Sequence, residues 1–138
     1  MAVMPSHIDW VRELCLSLPN STEDIQWEND LLFRVAKKIY CVVPLEPEAA
    51  VKLSCKCTPE KFAELVEIDG IIPAPYMARN HWVAFVDMNA LRQSEIRELI
   101  RNSYNLVVEK LPKKLQAELS EQRPQPLRKK RQKLPVRE

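Results

Sequence analysis

The densest group of polar and aromatic side chains in this sequence is the run Arg79-Asn80-His81-Trp82. A group of this composition is typical of a ligand-binding or catalytic site. The structural alternative is that Trp82 fills the core while Arg79 and His81 hydrogen-bond the backbone carbonyls of the proline-marked segment before them. We expect Trp82 to be buried, and both alternatives stay open for Arg79 and His81.

Three lysines, Lys110, Lys113 and Lys114, follow at the predicted end of the longest helix. The helix dipole alone favours cations near a helix C-terminus, so this position has a structural explanation. The functional alternative is contact with phosphate groups.

The last sixteen residues form a strongly basic tail. Residues 123–138 contain seven basic and one acidic side chain, whereas residues 1–122 contain 14 basic and 18 acidic ones. The densest cations of the tail are Arg128, Lys129, Lys130, Arg131 and Lys133. Such a run binds nucleic acid in a salt-dependent manner that is independent of sequence. Since no aromatic residue is interleaved, we expect contact with the backbone and not with bases. The alternative is a solubilising tail.

The cysteines do not have the spacing of a redox or zinc motif. Cys55 and Cys57 are separated by one residue, which on a strand directs both thiols to the same face. The histidines, His7 and His81, lie far from this pair in the sequence. We therefore predict that Cys55 and Cys57 serve packing, and not metal binding or disulfide formation.

The sequence offers no positive support for an enzyme. Its single glycine, Gly70, excludes the glycine-rich phosphate-binding motifs of dinucleotide-binding and P-loop proteins. No pairing of a nucleophile with a base is evident. We expect neither catalytic residues nor a cofactor.

Length and composition limit the class further. The 138 residues are 46% hydrophobic, enough for one domain with a core. No apolar run approaches the ~20 residues of a membrane span, and the N-terminus lacks the pattern of a secretory signal. We expect a cytoplasmic protein with reduced thiols and no membrane partner; the sequence leaves its oligomeric state open.

The elements that position these residues follow from periodicity and turn chemistry. Helical spacing of apolar residues predicts a first helix that starts at Ser6 and stops at Pro19, and a longest helix that starts at Ser94 and ends or kinks at Pro112. A second helix is capped by Thr58 and begins at Pro59, with its buried side at Phe62, Ala63, Leu65 and Val66. A further helical turn or two can follow Pro112, over residues 113–119. The predicted strands are residues 24–28, 31–35, 38–43, 51–57 and 81–87, with turns or loops at 19–22 and 71–80.

Two features of the strands are specific expectations. Residues 51–57 alternate, which predicts a half-buried strand with one solvated face. The connection Ala36-Lys37 is unusual, because a two-residue hairpin prefers residues that accept positive φ. Either Lys37 adopts that conformation at a cost, or the loop is wider.

This order of elements predicts an α+β fold with an antiparallel sheet packed against helices on one face. We assign residues 1–119 to the domain and residues 120–138 to a basic tail, which we expect to be disordered.

Four segments in this order resemble the MmcQ/YjbR family of small bacterial proteins: SLP at 17–19, LSCKC at 53–57, PYMARNHW at 75–82 and SYNLVVEKLPKK at 103–114. The resemblance covers about residues 6–119. It implies a CyaY-like domain with a double-wing arrangement of hairpins and helices, and DNA binding as its function. It brings no catalytic residues and no cofactor.

The sequence departs from that family at two turns. Family members commonly carry glycines where this chain has Asn20 and Ala36-Lys37. The CyaY-like fold also suggests iron binding by an acidic first helix, but here that helix carries only Asp9 and Glu13, too few for such a site.

The sequence thus predicts a non-enzymatic DNA-binding protein that acts mainly through phosphate contacts. The candidate contacts are Arg79, Asn80, His81, Lys110, Lys113, Lys114 and the tail cations. The alternative is a protein-interaction or small-ligand module that uses the loop around Tyr76, Arg79 and His81. A shared face for Arg79 and the three lysines would favour DNA binding, whereas their scatter among acidic residues would leave binding to the tail alone.

Overall fold

A computed structural model of the chain describes residues 6–27, 29–75 and 80–122. Along the chain the elements are α1 (Ser6–Ser17), β1 (Ser21–Gln26), β2 (Asp30–Val35), β3 (Lys38–Pro44), β4 (Leu53–Lys56), α2 (Pro59–Leu65), β5 (Ile71–Pro73), β6 (Trp82–Phe85), α3 (Gln93–Glu109) and α4 (Lys113–Gln122). The strands form one sheet in the order β1-β2-β3-β4-β6-β5, and every pairing is antiparallel. The predicted α+β fold class is confirmed.

The four helices contribute to one hydrophobic core on a single face of the sheet. Their core residues include Ile8, Leu65, Leu99 and Leu119. At its centre the rings of Tyr40 and Tyr104 meet edge to face, with centroids 5.3 Å apart. The sequence correctly predicted helices on one face and the burial of Leu53, Leu99 and Tyr104.

Hydrogen bonds from two adjacent residues fix α3 on the sheet. The Ser103 hydroxyl donates to the Tyr40 carbonyl at 2.6 Å and accepts from the Lys56 amide at 3.0 Å. The Tyr104 hydroxyl donates to the Pro19 carbonyl at 2.6 Å, just beyond the end of α1. These bonds join α3 to β3, β4 and α1, so the end of β4 has a defined position relative to α3.

The opposite face of the sheet carries a second, smaller apolar cluster, which contains no residue of a described helix. Leu32, Val42, Ser54 and Ala84 lie side by side across four strands on this face. Trp82 is buried, as predicted, and it belongs to this second cluster. Ser54 is also buried, so the expected solvated face of β4 is wrong at this residue. The reason is that β4 is a central strand, so Ser54 lies between side chains of both neighbouring strands, Val42 and Ala84.

Positive φ occurs at six described residues, and it shapes the turns that precede β3 and β5. Ala36 (φ 50) and Lys37 (φ 71) form the two-residue connection between β2 and β3, so Lys37 does adopt the unfavourable conformation. Gly70 (φ 97) precedes β5, and a Cβ there would lie 3.0 Å from the Cβ atoms of Asp87 and Ala90. Only glycine fits this position without movement of its neighbours.

Several predicted boundaries were wrong. β1 begins at Ser21, within the predicted turn, and β5 lies within the predicted loop 71–80. β5 is a three-residue edge strand ending in a proline, and its pairing with β6 has no local sequence signal. α4 extends to Gln122, past the expected end of that helix. Within α2, Ala63 is exposed because this short helix buries Leu65 instead.

Among the residues that the structure describes, no helix is long and apolar enough to cross a membrane.

Candidate functional site

The three predicted lysines lie at the junction of α3 and α4, and all three are exposed. Lys110 caps the C-terminus of α3, where the helix dipole favours a cation. Lys113 and Lys114 instead begin α4, whose first turn contains no acidic residue. Because the dipole disfavours cations at a helix N-terminus, the structural explanation holds for Lys110 and is wrong for the other two.

The junction itself is held by one glutamine. The Gln116 side-chain amide donates to the carbonyls of Leu111 (2.8 Å) and Glu109 (3.2 Å), and its backbone amide donates to the Pro112 carbonyl (3.1 Å). The first turn of α4 is thereby fixed against the last turn of α3. The backbone at the three lysines is consequently fixed at this corner between α3 and α4.

A fourth lysine from the sheet adjoins this corner. Lys56 ends β4, and its pKa is lowered by partial burial and by the positive charge of Lys110. The charge of Lys110 therefore acts on the Lys56 ammonium group. We call Lys56, Lys110, Lys113 and Lys114 the basic corner.

The charges of the basic corner have no acidic partners in the part of the chain that the structure describes. None of the ion pairs found there involves these lysines. By contrast, Arg12 pairs with Glu23 at 2.6 Å and Arg34 with Asp24 at 3.3 Å, both on β1. Positive charge is therefore compensated at one edge of the sheet and uncompensated at the basic corner.

His81 lies beside the basic corner, at the start of β6. Its carbonyl accepts from the Cys57 amide at 2.9 Å and from the Cys57 thiol at 3.3 Å, one residue beyond Lys56. The imidazole meets the Phe62 ring edge to face at 5.5 Å. The hydrogen bonds expected from this imidazole to loop carbonyls do not form with any described residue. Asn80 is exposed next to it.

The remaining predicted contacts lie outside the described residues. They are Arg79 and the tail cations Arg128, Lys129, Lys130, Arg131 and Lys133, together with Tyr76 of the alternative site. Among the predicted residues that the structure describes, Lys110, Lys113 and Lys114 lie at the junction of α3 and α4, and His81 bonds to Cys57, the residue after Lys56.

A polar cleft of about 420 Å³ between α2 and α3 adjoins the basic corner. Its lining includes Thr58, Lys61, Asn102, Asn105 and Glu109. The Asn102 and Asn105 amides are hydrogen-bond donors of the kind that contact phosphate and sugar oxygens. The Lys61 ammonium group instead pairs with Glu64 at 3.4 Å, and the Glu109 carboxylate opposes an anion.

The four thiols are free and buried, and the predicted packing role of Cys55 and Cys57 agrees with their burial in the core. Burial raises the pKa of Cys57 to about 11 and also raises the pKa of Cys55. These thiols are therefore poor nucleophiles at neutral pH. Within the described ranges no group of three or more histidine, cysteine or acidic residues could hold a metal ion.

Sequence reasoning missed Lys56 as a functional candidate. Its only local signal is its place on the polar side of an alternating strand, which many lysines share. Its proximity to Lys110 arises from the hydrogen bond between its amide and Ser103, a contact between distant parts of the chain.

Comparison with known proteins adds a family and two similar structures. The YjbR family model matches residues 16–106. A Deinococcus radiodurans protein with a DUF419 domain is 29% identical, with a TM-score of 0.73 over 82% of this chain and 87% of that one. A Pseudomonas syringae protein is 27% identical, with a TM-score of 0.55 over 73% of this chain and 95% of that one. The search of curated proteins found no match.

Proposed function

The chain belongs to the YjbR family, as its sequence motifs predicted, and we propose that it is a non-enzymatic DNA-binding protein whose folded domain contacts phosphates at the basic corner. The observation that carries this proposal is the group of exposed lysines at the junction of α3 and α4, Lys110, Lys113 and Lys114, which form no ion pair with a described acidic residue.

The basic corner is unfavourable for the isolated fold. Two ammonium groups repel each other where Lys56 meets Lys110, and Lys113 and Lys114 occupy the unfavourable end of a helix dipole. A bound anion relieves both effects. Groups held in this way against their electrostatic preference are typical of binding sites.

A polyanion fits this arrangement better than a single small anion. The four lysines come from β4, α3 and α4, and the polar cleft with Asn102 and Asn105 continues the surface. Duplex DNA presents about one negative charge per 1.7 Å of its axis, so several lysines can engage phosphates at once.

Phosphate contacts carry no base information, so this function predicts weak sequence preference. Base stacking needs an exposed aromatic ring, and the basic corner consists of lysines only. The His81 ring beside it packs against Phe62. A binding function without catalysis also agrees with the raised pKa of the Cys57 thiol.

The test compares two lysine pairs of equal charge. Lys113→Gln/Lys114→Gln removes half of the basic corner, and Lys37→Gln/Lys38→Gln removes the exposed pair at the β2–β3 hairpin as a matched control. Fluorescence anisotropy with a labelled duplex, titrated over salt, measures affinity. We expect the first variant to lower the salt slope by about two, since each phosphate contact contributes roughly 0.9, and the control to retain it.

Circular dichroism spectra must agree among the variants, so that affinity and folding stay separate. Equal losses in both variants would show diffuse charge attraction and contradict a site at the basic corner. A full chain that fails to bind duplex DNA at low salt would reject DNA binding and leave the protein-interaction or small-ligand function around Tyr76, Arg79 and His81.

A further inference from the structure

His7 is a half-buried histidine in the first turn of α1, and one of its ring nitrogens has no partner. The Nε2 atom is buried and forms no hydrogen bond within the described part of the chain. The next residue, Ile8, is 3% exposed and belongs to the main core, so the ring lies where α1 joins that core. A buried ring nitrogen without a partner is unfavourable, and burial of the charged ring costs more.

A lysine with a fixed position acts on this ring. The backbone of Lys52 contacts the imidazole of His7, and the charge of the Lys52 ammonium group disfavours a second positive charge there. The Lys52 amide donates to the Phe85 carbonyl at 2.7 Å, and its ammonium group donates to the Ala49 carbonyl at 2.8 Å. These bonds hold the positive charge of Lys52 in the segment that precedes β4.

The charged groups on the elements around α1 do not supply a counter-ion to His7 within the described ranges. Arg97 of α3 lies over the Trp10 ring, 5.1 Å from its centre. Glu23 of β1 is already paired with an arginine of α1. Asp9, the acidic residue in the first turn of α1, is exposed and is not among the charges that act on the imidazole. A charged His7 ring would therefore be buried without a carboxylate.

The helix dipole adds to these influences, because it disfavours a cation in the first turn of a helix. Burial and the charge of Lys52 lower the pKa of His7, although contact with the Lys52 backbone opposes them in part. We propose that protonation of His7 releases the first turn of α1 from the segment before β4, and that this contact is a pH-sensitive switch. The end of α1 stays in place, because the Tyr40 hydroxyl donates to the Cys15 carbonyl at 3.2 Å. None of these groups belongs to the basic corner.

The closed first turn loses stability on the acid side. The folded chain binds a proton at His7 less readily than the unfolded chain, in which the ring titrates at a pKa of about 6.5. The contact is therefore fully favourable above about pH 6.5 and weakens as the pH falls towards the lowered pKa of His7. One proton changes the opening equilibrium by up to about tenfold per pH unit in this window.

Amide hydrogen exchange of the full chain, followed by NMR between about pH 5 and 7.5, tests this switch. The Trp10 and Val11 amides bond to carbonyls of the first turn in a helix that begins at Ser6, so they report its opening. We expect their protection, corrected for the intrinsic exchange rate, to fall by up to about tenfold per pH unit below pH 6.5. The Lys56 amide, which donates to Ser103, should remain better protected at every pH, because the opening is local.

Two histidine variants form a matched pair, since His7 and His81 are the two histidines of the chain. His7→Gln should abolish the pH dependence of protection at Trp10 and Val11, whereas His81→Gln should retain it. Lys52→Gln keeps the backbone contact but removes the repelling charge. It should raise the pKa of His7, so that less protection is lost on acidification.

NMR titration of the His7 imidazole in the wild-type chain supplies a readout that needs no variant. The proposal is wrong if this ring titrates at or above its ordinary pKa, if protection at Trp10 and Val11 does not change with pH, or if its loss persists in His7→Gln. It is also wrong if these two amides are as well protected as the Lys56 amide, since the first turn would then open only with the whole fold.

Discussion

Two unfavourable influences act on the ammonium group of Lys56: partial burial and the charge of Lys110. Both favour the neutral form, so its pKa lies below that of an ordinary lysine. A bound phosphate reverses the second influence and raises the pKa again. DNA affinity should therefore be complete below the lowered pKa of Lys56 and should fall as the pH rises through it.

Lys110→Gln should raise the pKa of Lys56 towards its usual value, because it removes the repelling charge. NMR titration of the lysine side-chain resonances measures this shift. Lys61→Gln is the control, since Lys61 pairs with Glu64 at 3.4 Å and is not among the charges that lower the pKa of Lys56. An unchanged Lys56 pKa in Lys110→Gln would place the two groups too far apart to form one site.

At the scale of single elements, the β2–β3 hairpin has the two-residue turn expected between such strands, but its residues disfavour the backbone conformation of that turn. Ala36 and Lys37 both have positive φ, a conformation that costs an L-residue about 1–2 kcal/mol. The carbonyl of Lys37 accepts from the Arg34 guanidinium at 3.1 Å, a backbone contact that any residue at this position can keep. The hairpin is therefore held by its strands and not by its turn.

Lys37→Gly should increase the free energy of unfolding by about 0.5–1 kcal/mol, because glycine accepts φ 71 without strain. The greater flexibility of glycine in the unfolded chain offsets part of this stabilisation. Urea unfolding with an unchanged m-value measures the effect. Lys38→Gly, one residue later in β3, should instead lower stability by about 0.5–1 kcal/mol. If both glycines destabilise equally, the turn is not strained.

The elements that could be predicted from the sequence are those with a strong local period. α3 was predicted from the repeat of its apolar residues, and the Thr58 cap of α2 from its residue type; its hydroxyl accepts from the Lys61 amide at 3.2 Å. β5 was missed because three residues ending in proline have no measurable period. Its membership in the sheet depends on pairing with β6, which is not a local property.

The basic corner could not be assembled from the sequence alone. Lys110, Lys113 and Lys114 are adjacent in the chain and were found, whereas Lys56 joins them only through the packing of α3 on β4. The second apolar cluster depends in the same way on register, since Val42 and Ser54 become neighbours only when β3 pairs with β4. Residue type suggested candidates, and tertiary structure decided which of them meet.

At the scale of the whole molecule, charge is distributed unequally along the chain. Residues 1–122 have 18 acidic and 14 basic side chains, and residues 123–138 have one acidic and seven basic ones. Long-range repulsion between DNA and the first part therefore opposes the contacts of the basic corner. The tail can compensate for this repulsion, because α4, which begins at the basic corner, leads directly into it.

Removal of residues 123–138 separates the two contributions. If most tail cations engage phosphates, the truncated chain should bind duplex DNA with a salt slope several units smaller than the full chain, at about 0.9 per lost contact. The remaining slope then belongs to the folded domain, and Lys113→Gln/Lys114→Gln in the truncated chain should reduce it further. Sequence preference should change little in either step, because both sets of contacts are to the backbone.

Salt-titrated anisotropy measures the slope for four proteins. They are the full and the truncated chain, each in the wild-type form and as Lys113→Gln/Lys114→Gln. An unchanged slope after truncation would reject the tail as an anchor and assign binding to the domain. A slope that falls to zero on truncation would reject the basic corner, because its four lysines would then make no phosphate contact without the tail. Intermediate slopes that add across the two changes are the expected result, since the tail and the basic corner contact different phosphates.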